Sequence, residues 1–453
     1  MCIRDRLDRL PDCRWHSSMF AIVSFGLLVC WSNAVGGLIL AQLKELGWTD
    51  NSTTATFSAI TTAGMFLGAL VGGIIGDKTG RRNAFILYEA IHIASMVVGA
   101  FSPNMDFLIA CRFVMGVGLG ALLVTLFAGF TEYMPGRNRG TWSSRVSFIG
   151  NWSYPLCSLI AMGLTPLISA EWNWRVQLLI PAILSLIATA LAWRYFPESP
   201  RWLESRGRYQ EAEKVMRSIE EGVIRQTGKP LPPVVIADDG KAPQAVPYSA
   251  LLTGVLLKRV ILGSCVLIAM NVVQYTLINW LPTIFMTQGI NLKDSIVLNT
   301  MSMFGAPFGI FIAMLVMDKI PRKTMGVGLL ILIAVLGYIY SLQTSMLLIT
   351  LIGFFLITFV YMYVCYASAV YVPEIWPTEA KLRGSGLANA VGRISGIAAP
   401  YAVAVLLSSY GVTGVFILLG AVSIIVAIAI ATIGIETKGV SVESLSIDAV
   451  VNK

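Results

Sequence analysis

Charge is what this sequence has least of. Asp, Glu, Lys and Arg make up 13% of its 453 residues, whereas soluble domains carry about 25%, so the composition argues against a water-soluble globular enzyme. Histidine is nearly absent at two residues, and the seven cysteines never form a C-x-x-C pair, which leaves no ligand set for zinc, haem or an iron-sulfur cluster. No metal and no cofactor is expected. Five cysteines, at 30, 111, 157, 265 and 365, lie in apolar stretches, and an odd total gives no disulfide framework, so they read as small core hydrophobes. A phosphate-gripping G-x-x-x-x-G-K-[S/T] is also missing: Gly228-Lys229 is followed by Pro230, which excludes a nucleotide motor. No Ser-His-acid or paired-carboxylate arrangement stands in the apolar stretches, which argues against an enzyme.

What is present is hydrophobic length. Apolar residues make up 56% of the chain, and mean hydropathy is +0.73. Runs of roughly 20 residues, enough to cross about 30 Å of hydrocarbon, occur twelve times: near 19–43, 54–76, 84–101, 107–130, 142–167 and 176–196, then 260–285, 296–317, 325–341, 346–372, 385–407 and 413–434. We number these spans 1 to 12. The expected fold is an all-α integral membrane protein.

The net charge of +8 resolves into topology. Alternating the connections between two sides puts 26 Lys and Arg on the side of both termini and 3 on the other. By the positive-inside rule both termini are expected in the cytoplasm, in a bacterial inner membrane, and a nucleic-acid partner is not. The connection 197–259 divides the chain. It opens with the helically spaced, mixed-charge RWLESRGRYQEAEKVMRSIEE and ends in a Pro-rich linker. Residues 1–18 and 435–453 read as cytoplasmic tails flanking six-helix bundles at 19–196 and 260–434.

The charged loops carry an internal repeat. GDKTGRR after span 2 answers to MDKIPRK after span 8, with Asp77 and Asp318 241 positions apart. TEYMPGRNRG after span 4 answers to PEIWPTEAKLRG after span 10, with Glu132 and Glu374 242 apart. PESPRW after span 6 answers to ETKG after span 12, with Glu198 and Glu436 238 apart. Acids beside basic clusters at helix ends can form ion pairs that latch the two halves together and break as a gate. The candidate gate set is Asp77, Arg81, Arg82, Glu132, Arg139, Glu198, Arg201, Asp318, Arg322, Lys323, Glu374, Arg383 and Glu436. Any one of these residues alone reads equally well as an orientation signal or helix cap, but as a repeated set they favour a gate.

These motifs, with CRFVMGVGLGA in span 4, resemble the major facilitator superfamily, in its sugar-porter-like and metabolite-proton symporter branch, from Met19 to Gly439. The resemblance implies two six-helix bundles around a central cavity, alternating access by rocking, and a cavity lined by spans 1, 4, 7 and 10. Arg112 matches the arginine that the family keeps on its fourth helix, where it commonly pairs with a first-helix aspartate carrying the coupling proton. Here the first span has Trp31, Ser32 and Asn33 instead, with no carboxylate. Trp31 and Asn33 join the candidate lining, but neither can carry a proton near neutral pH.

Ionisable groups inside the spans cost about 2.5 to 3.5 kcal/mol each, so each needs an explanation. Glu89, the acid well inside a span, stands one turn before His92, a spacing that permits proton exchange or a structural bond. Gly116, Gly118 and Gly120 suit close helix packing better than a phosphate loop. Span 7 presents Asn271, Gln274, Tyr275, Asn279 and Trp280, a stripe suited either to hydrogen-bonding an organic solute or to joining helices. Tyr361 and Ser368 share a face of span 10, and Asn389 and Arg393 stand one turn apart in span 11. Arginines without a matching cavity carboxylate favour organic anions, such as sugar or aromatic acids. The expected function is secondary active transport of a small-molecule anion by a monomer in the lipid bilayer, with H+ as the coupling partner. Uncoupled facilitation of a neutral sugar or polyol is the alternative, and a non-transporting nutrient receptor is a third reading.

Overall fold

The computed structural model describes residues 3–11, 14–29, 34–134, 139–228, 230–233, 247–377 and 380–438. Among these, nine helices are long and apolar enough to cross a membrane, and one of them, Arg383–Ile433, holds two spans. Spans 11 and 12 are two helices within Lys381–Ile433 that meet at Gly411, whose φ of 64° interrupts the helix, a conformation that glycine adopts without a Cβ clash. The two remaining expected spans are each divided. Span 1 consists of Arg14–Val29 and Gly36–Glu45, and span 5 of Arg139–Asn151 and Ser153–Leu164. With these two the described helices account for all twelve.

The other spans follow the expected order: Asn51–Thr79, Arg81–Ala100, Met105–Tyr133 and Ala170–Tyr195 for spans 2, 3, 4 and 6. In the second half, Gly254–Thr287 is span 7, Leu292–Met303 and Gly305–Val316 make span 8, and Arg322–Ser341 is span 9. Span 10 starts as the α-helix Met346–Cys365 and turns into a π-helix at Tyr366–Tyr371.

Small residues let the spans approach closely. A Cβ at Gly64 would lie 2.3 Å from the Phe113 carbonyl oxygen, and one at Gly68 2.1 Å from that of Val117, which seats span 2 on span 4. Spans 8 and 10 do the same: a Cβ at Gly305 would lie 2.4 Å from the Phe354 oxygen and one at Gly309 2.3 Å from that of Thr358. Each residue of the second set lies 241 positions after its counterpart in the first. The repeat legible in the loops is thus also built into the helix contacts. In lipid there is little hydrophobic drive between helices, so close backbone packing carries much of their association.

The spacing of the span 4 glycines is explained in the same way. Gly118 abuts His92 of span 3, and Gly120 abuts the Met65 backbone of span 2.

Contacts divide the chain into two compact units. One comprises Met1–Asn33, Gly64–Ser153 and Arg175–Gly240, and the other Ala34–Ala63, Tyr154–Trp174 and Lys241–Lys453. This partition differs from bundles at 19–196 and 260–434, because the ends of spans 1, 2 and 5 remote from the charged loops group with the second half. In that second unit, Gly37 lies against the Ile278 and Asn279 carbonyls of span 7. Asn51 donates to Ser408 Oγ at 2.9 Å, and Asn299 donates to Ser158 Oγ at 3.1 Å.

The charged side of the first unit holds more structure than a tail and a linker. The central connection forms the helices Pro200–Ser205 and Tyr209–Thr227. Leu7 and Leu10 from the chain's start are buried with Trp202, Leu203, Ala212, Met216, Ile219 and Val223. Arg6 and Arg9 pair with Glu220 at 2.6 and 2.5 Å. Burial alone would raise the Glu220 carboxyl, but the hydrogen bonds from Arg6 and Arg9 outweigh it and hold the group below its ordinary range.

Candidate functional site

The described ion pairs and caps of the gate motifs lie within each half. Glu198 accepts from the backbone N–H groups of Arg81 at 2.7 Å and Arg82 at 3.2 Å, capping the start of span 3. Glu436 accepts from Arg322 at 2.8 Å and Lys323 at 3.1 Å, capping span 9. A carboxylate at this position satisfies orphan donors and complements the helix dipole. Burial would raise the Glu436 carboxyl, but the N–H donors of Arg322, Lys323 and Lys438 override it and lower it.

Asp77 pairs with Arg81 at 2.7 Å and Asp318 with Arg322 at 3.2 Å, both one helical turn apart. Arg322 also reaches Glu374 at 3.0 Å, and Glu374 accepts from Thr437 Oγ1 at 2.6 Å. Arg383 stacks over the Tyr248 ring, and Arg201 is half-buried. Glu132 and Arg139 lie on helices, but their side chains fall outside the described residues. Each described ion pair of these motifs joins residues of one half, where the sequence suggested pairs bridging two. The reason is geometric: the i,i+4 neighbour and the adjacent helix start stand nearest.

Among the residues inside the spans, Trp31 and Asn33 lie outside the described residues. Glu89 and His92 are fully buried, with Oε2 and Nδ1 3.6 Å apart, as their spacing predicts. Arg112 is 1% exposed, and its Nη1 lies 3.3 Å from Met115 Sδ. All three belong to the first unit.

The span 7 stripe splits into different environments. Asn271 donates to its own Leu267 carbonyl at 2.7 Å and packs beneath Gly392 of span 11. Its amide thus bonds within its own helix and packs against span 11. Tyr275, one turn on, packs against Gly396. Asn279 is buried, and its carbonyl meets Gly37. Trp280 is fully buried, and its Nε1 has no hydrogen-bond partner.

Gln274 is brought together with two tyrosines. Tyr154 of span 5 and Tyr361 of span 10 meet edge-on with ring centroids 5.3 Å apart, and Gln274 and Tyr275 lie near both hydroxyls. The Tyr361 hydroxyl makes no hydrogen bond of good geometry. Sequence reasoning missed Tyr154, although its place beside Pro155 within span 5 was a signal.

Ser368 does not share the environment of Tyr361. It is exposed and donates to the Val364 carbonyl at 2.7 Å, while Tyr361 is buried. The π-turn beginning at Tyr366 adds a residue to the helical repeat and rotates Ser368 off the face that α-helical spacing predicts.

In span 11, Asn389 is exposed and donates to the Ser385 carbonyl at 2.9 Å. Arg393 follows Gly392 directly, so its side chain leaves the helix about 100° from the surface that meets span 7. It is half-buried, and its buried Nη1 has no hydrogen-bond partner. One residue further round, Ile394 is 56% exposed, with Tyr401 and Val405 on the same outward face. Arg393 lies between these two faces, one turn after the exposed Asn389. A buried charged donor without an acceptor is costly.

The comparisons agree with this architecture. The Major Facilitator Superfamily profile matches residues 20–400. The chain is 99% identical over 448 residues to the putative metabolite transport protein YdjK of Escherichia coli strain K12, covering 99% of this chain and 98% of that one. It is 44% identical to the same organism's inner membrane metabolite transport protein YdjE, over 97% of each. A partially occluded inward open structure of the xylose transporter XylE from E. coli superposes with a TM-score of 0.74 at 18% identity, covering 94% of this chain and all of that one, a likeness of fold. The chain belongs to the Major Facilitator Superfamily and is a membrane transporter, not an enzyme.

Proposed function

We propose that this transporter moves a small organic anion, a carboxylate, by alternating access, and that the Tyr154, Gln274, Tyr275 and Tyr361 cluster together with Arg393 receives it. The observation that carries this reading is the buried Arg393 Nη1 without an acceptor. A carboxylate would satisfy it with a charge-assisted hydrogen bond. The tyrosine hydroxyls and the Gln274 amide supply donors and acceptors for the rest of the solute, and the rings supply apolar surface. Glu89 and His92 are the groups we assign to proton coupling, on their 3.6 Å approach inside the bilayer. The rocking bundles are residues 19–196 and 260–434, with both termini in the cytoplasm, and the working unit is a monomer.

The test is a thermal-shift screen of purified protein against organic acids, neutral sugars and polyols, and organic cations. A ligand at 100 times its dissociation constant adds about 2.7 kcal/mol of stability. We expect a saturable shift confined to carboxylates and lost in Arg393→Gln. A shift confined to sugars or polyols would overturn the anion reading. The uncharged cluster around Gln274 favours that second reading, an uncoupled polyol facilitator. For a carboxylate that binds, intact pH-driven accumulation in Glu89→Gln would remove Glu89 from the coupling role.

A further inference from the structure

We propose that the first unit carries a binding site for the headgroup of an anionic phospholipid, beneath the charged-loop end of span 6. A cavity of about 670 Å³ opens there between the end of span 6, the start of span 3 and the helix Tyr209–Thr227. Its polar lining includes Arg82, Asn83, Tyr195, Lys214 and Ser218. The lining acids are already engaged. Glu198 caps span 3 through the Arg81 and Arg82 N–H groups, and Glu211 is held in a two-point pair by Arg208 at 2.7 and 2.6 Å. Arg82 spends one nitrogen on the Trp193 carbonyl, and its Nε is buried without a partner. Two cations, Arg82 and Lys214, thus face the cavity beside two hydroxyls, a set suited to a phosphate.

A second observation points to lipid as the source of that phosphate. Span 6 exposes an unbroken apolar stripe, with Ile183 59%, Leu186 59%, Ile187 46% and Leu191 37% exposed. The stripe runs toward the cavity and ends at Arg194 and at Trp193 and Tyr195, which are 68% and 61% exposed. Tryptophan, tyrosine and snorkelling arginine mark the headgroup level of a membrane. Acyl chains lying along Ile183 to Leu191 would deliver a phosphate to the mouth of the cavity. Basic pockets at this depth recognise anionic headgroups. This inference rests on the membrane placement of the spans and is independent of the transported substrate.

The full-length protein in detergent is titrated with short-chain phosphatidylglycerol, with phosphatidylcholine of the same chains, and with inorganic phosphate, following thermal stability. The expected result is a saturable rise in Tm with phosphatidylglycerol alone, reduced by at least half in Lys214→Gln. Lys214 is exposed, so that variant should unfold at the parent temperature without lipid. Lys293→Gln, in the first turn of span 8 at the opposite end of the spans, should keep the full shift. Equal shifts with phosphatidylcholine would reduce the effect to apolar solvation and overturn the site. Inorganic phosphate reproducing the shift would assign the cavity to a soluble anion and overturn the lipid. An unchanged phosphatidylglycerol shift in Lys214→Gln would overturn the placement.

Discussion

The two halves of this chain share their scaffold and differ in their interior chemistry. Gly64 and Gly68 seat span 2 on span 4 as Gly305 and Gly309 seat span 8 on span 10, and Glu198 caps span 3 as Glu436 caps span 9. The ionisable residues inside the spans do not repeat at the 241-position offset of these glycines. Glu89, His92 and Arg112 belong to the first half, while Gln274, Tyr275, Tyr361 and Arg393 belong to the second. Backbone approach and helix capping are demands of the fold and recur with it. Ligand chemistry is a demand of the site and need be met only once.

The sharpest way to break this comparison is to crowd the matched glycines. Gly68→Leu and Gly309→Leu should each cost about 3 kcal/mol or more, because the new side chain meets a backbone carbonyl that cannot retreat. The yield of folded protein and its Tm should fall similarly for both. Tolerance of one and not the other would show that the halves do not share this packing.

The Glu198→Gln and Glu436→Gln pair comes next, at about 1.5 to 3 kcal/mol each for a lost charged hydrogen-bond acceptor. Glu436 also predicts a pH dependence. Its carboxyl is lowered in the folded chain from an ordinary value of 4.5, so its stabilisation is complete above that value and is lost as pH falls through the depressed one. A Tm profile from pH 6 to 3 should steepen below about 4.5 and flatten in Glu436→Gln. An unchanged profile would remove the cap from the stability of the second half.

Interior substitutions should leave folding alone and strike binding, in the second half. Arg393→Gln should weaken a carboxylate ligand about 10- to 100-fold, as expected for the loss of a charge-assisted bond, with Tm changed little. Ligand titrations of parent and variant decide it, and equal affinities would disconnect Arg393 from the anion. The smallest effect, about two- to five-fold, is expected for Tyr361→Phe, since one neutral hydrogen bond is worth about 1 kcal/mol. A hundredfold loss there would transfer the leading role from Arg393 to the tyrosines.

Much of the fold was legible because hydrocarbon thickness and charge placement leave strong periodic marks. Twelve apolar runs and three acidic pairs near one offset gave the spans, the repeat and the family before any contact was known. The capping by Glu198 and Glu436 was the reading that the repeated pattern placed second to a gate. What stayed hidden depends on helix rotation and local winding. Asn271 and Gln274 read alike in sequence, yet one bonds its own Leu267 carbonyl while the other sits among tyrosines. Tyr361 and Ser368 fit one face only while the helix is α, and the π-turn at Tyr366 is not written in any residue type. The docking of Leu7 and Leu10 on the central helices was illegible because short amphipathic segments look like tails until their partner surface is known.

The hydrogen bonds from Asn51 to Ser408 and from Asn299 to Ser158 tie the first half of the chain to the second at the ends away from the charged loops. Both are uncharged. Ionic strength does not screen such bonds, and no accessible pH protonates them. The strength of these two bonds is therefore set by packing and not by the salinity or acidity of the surrounding fluid.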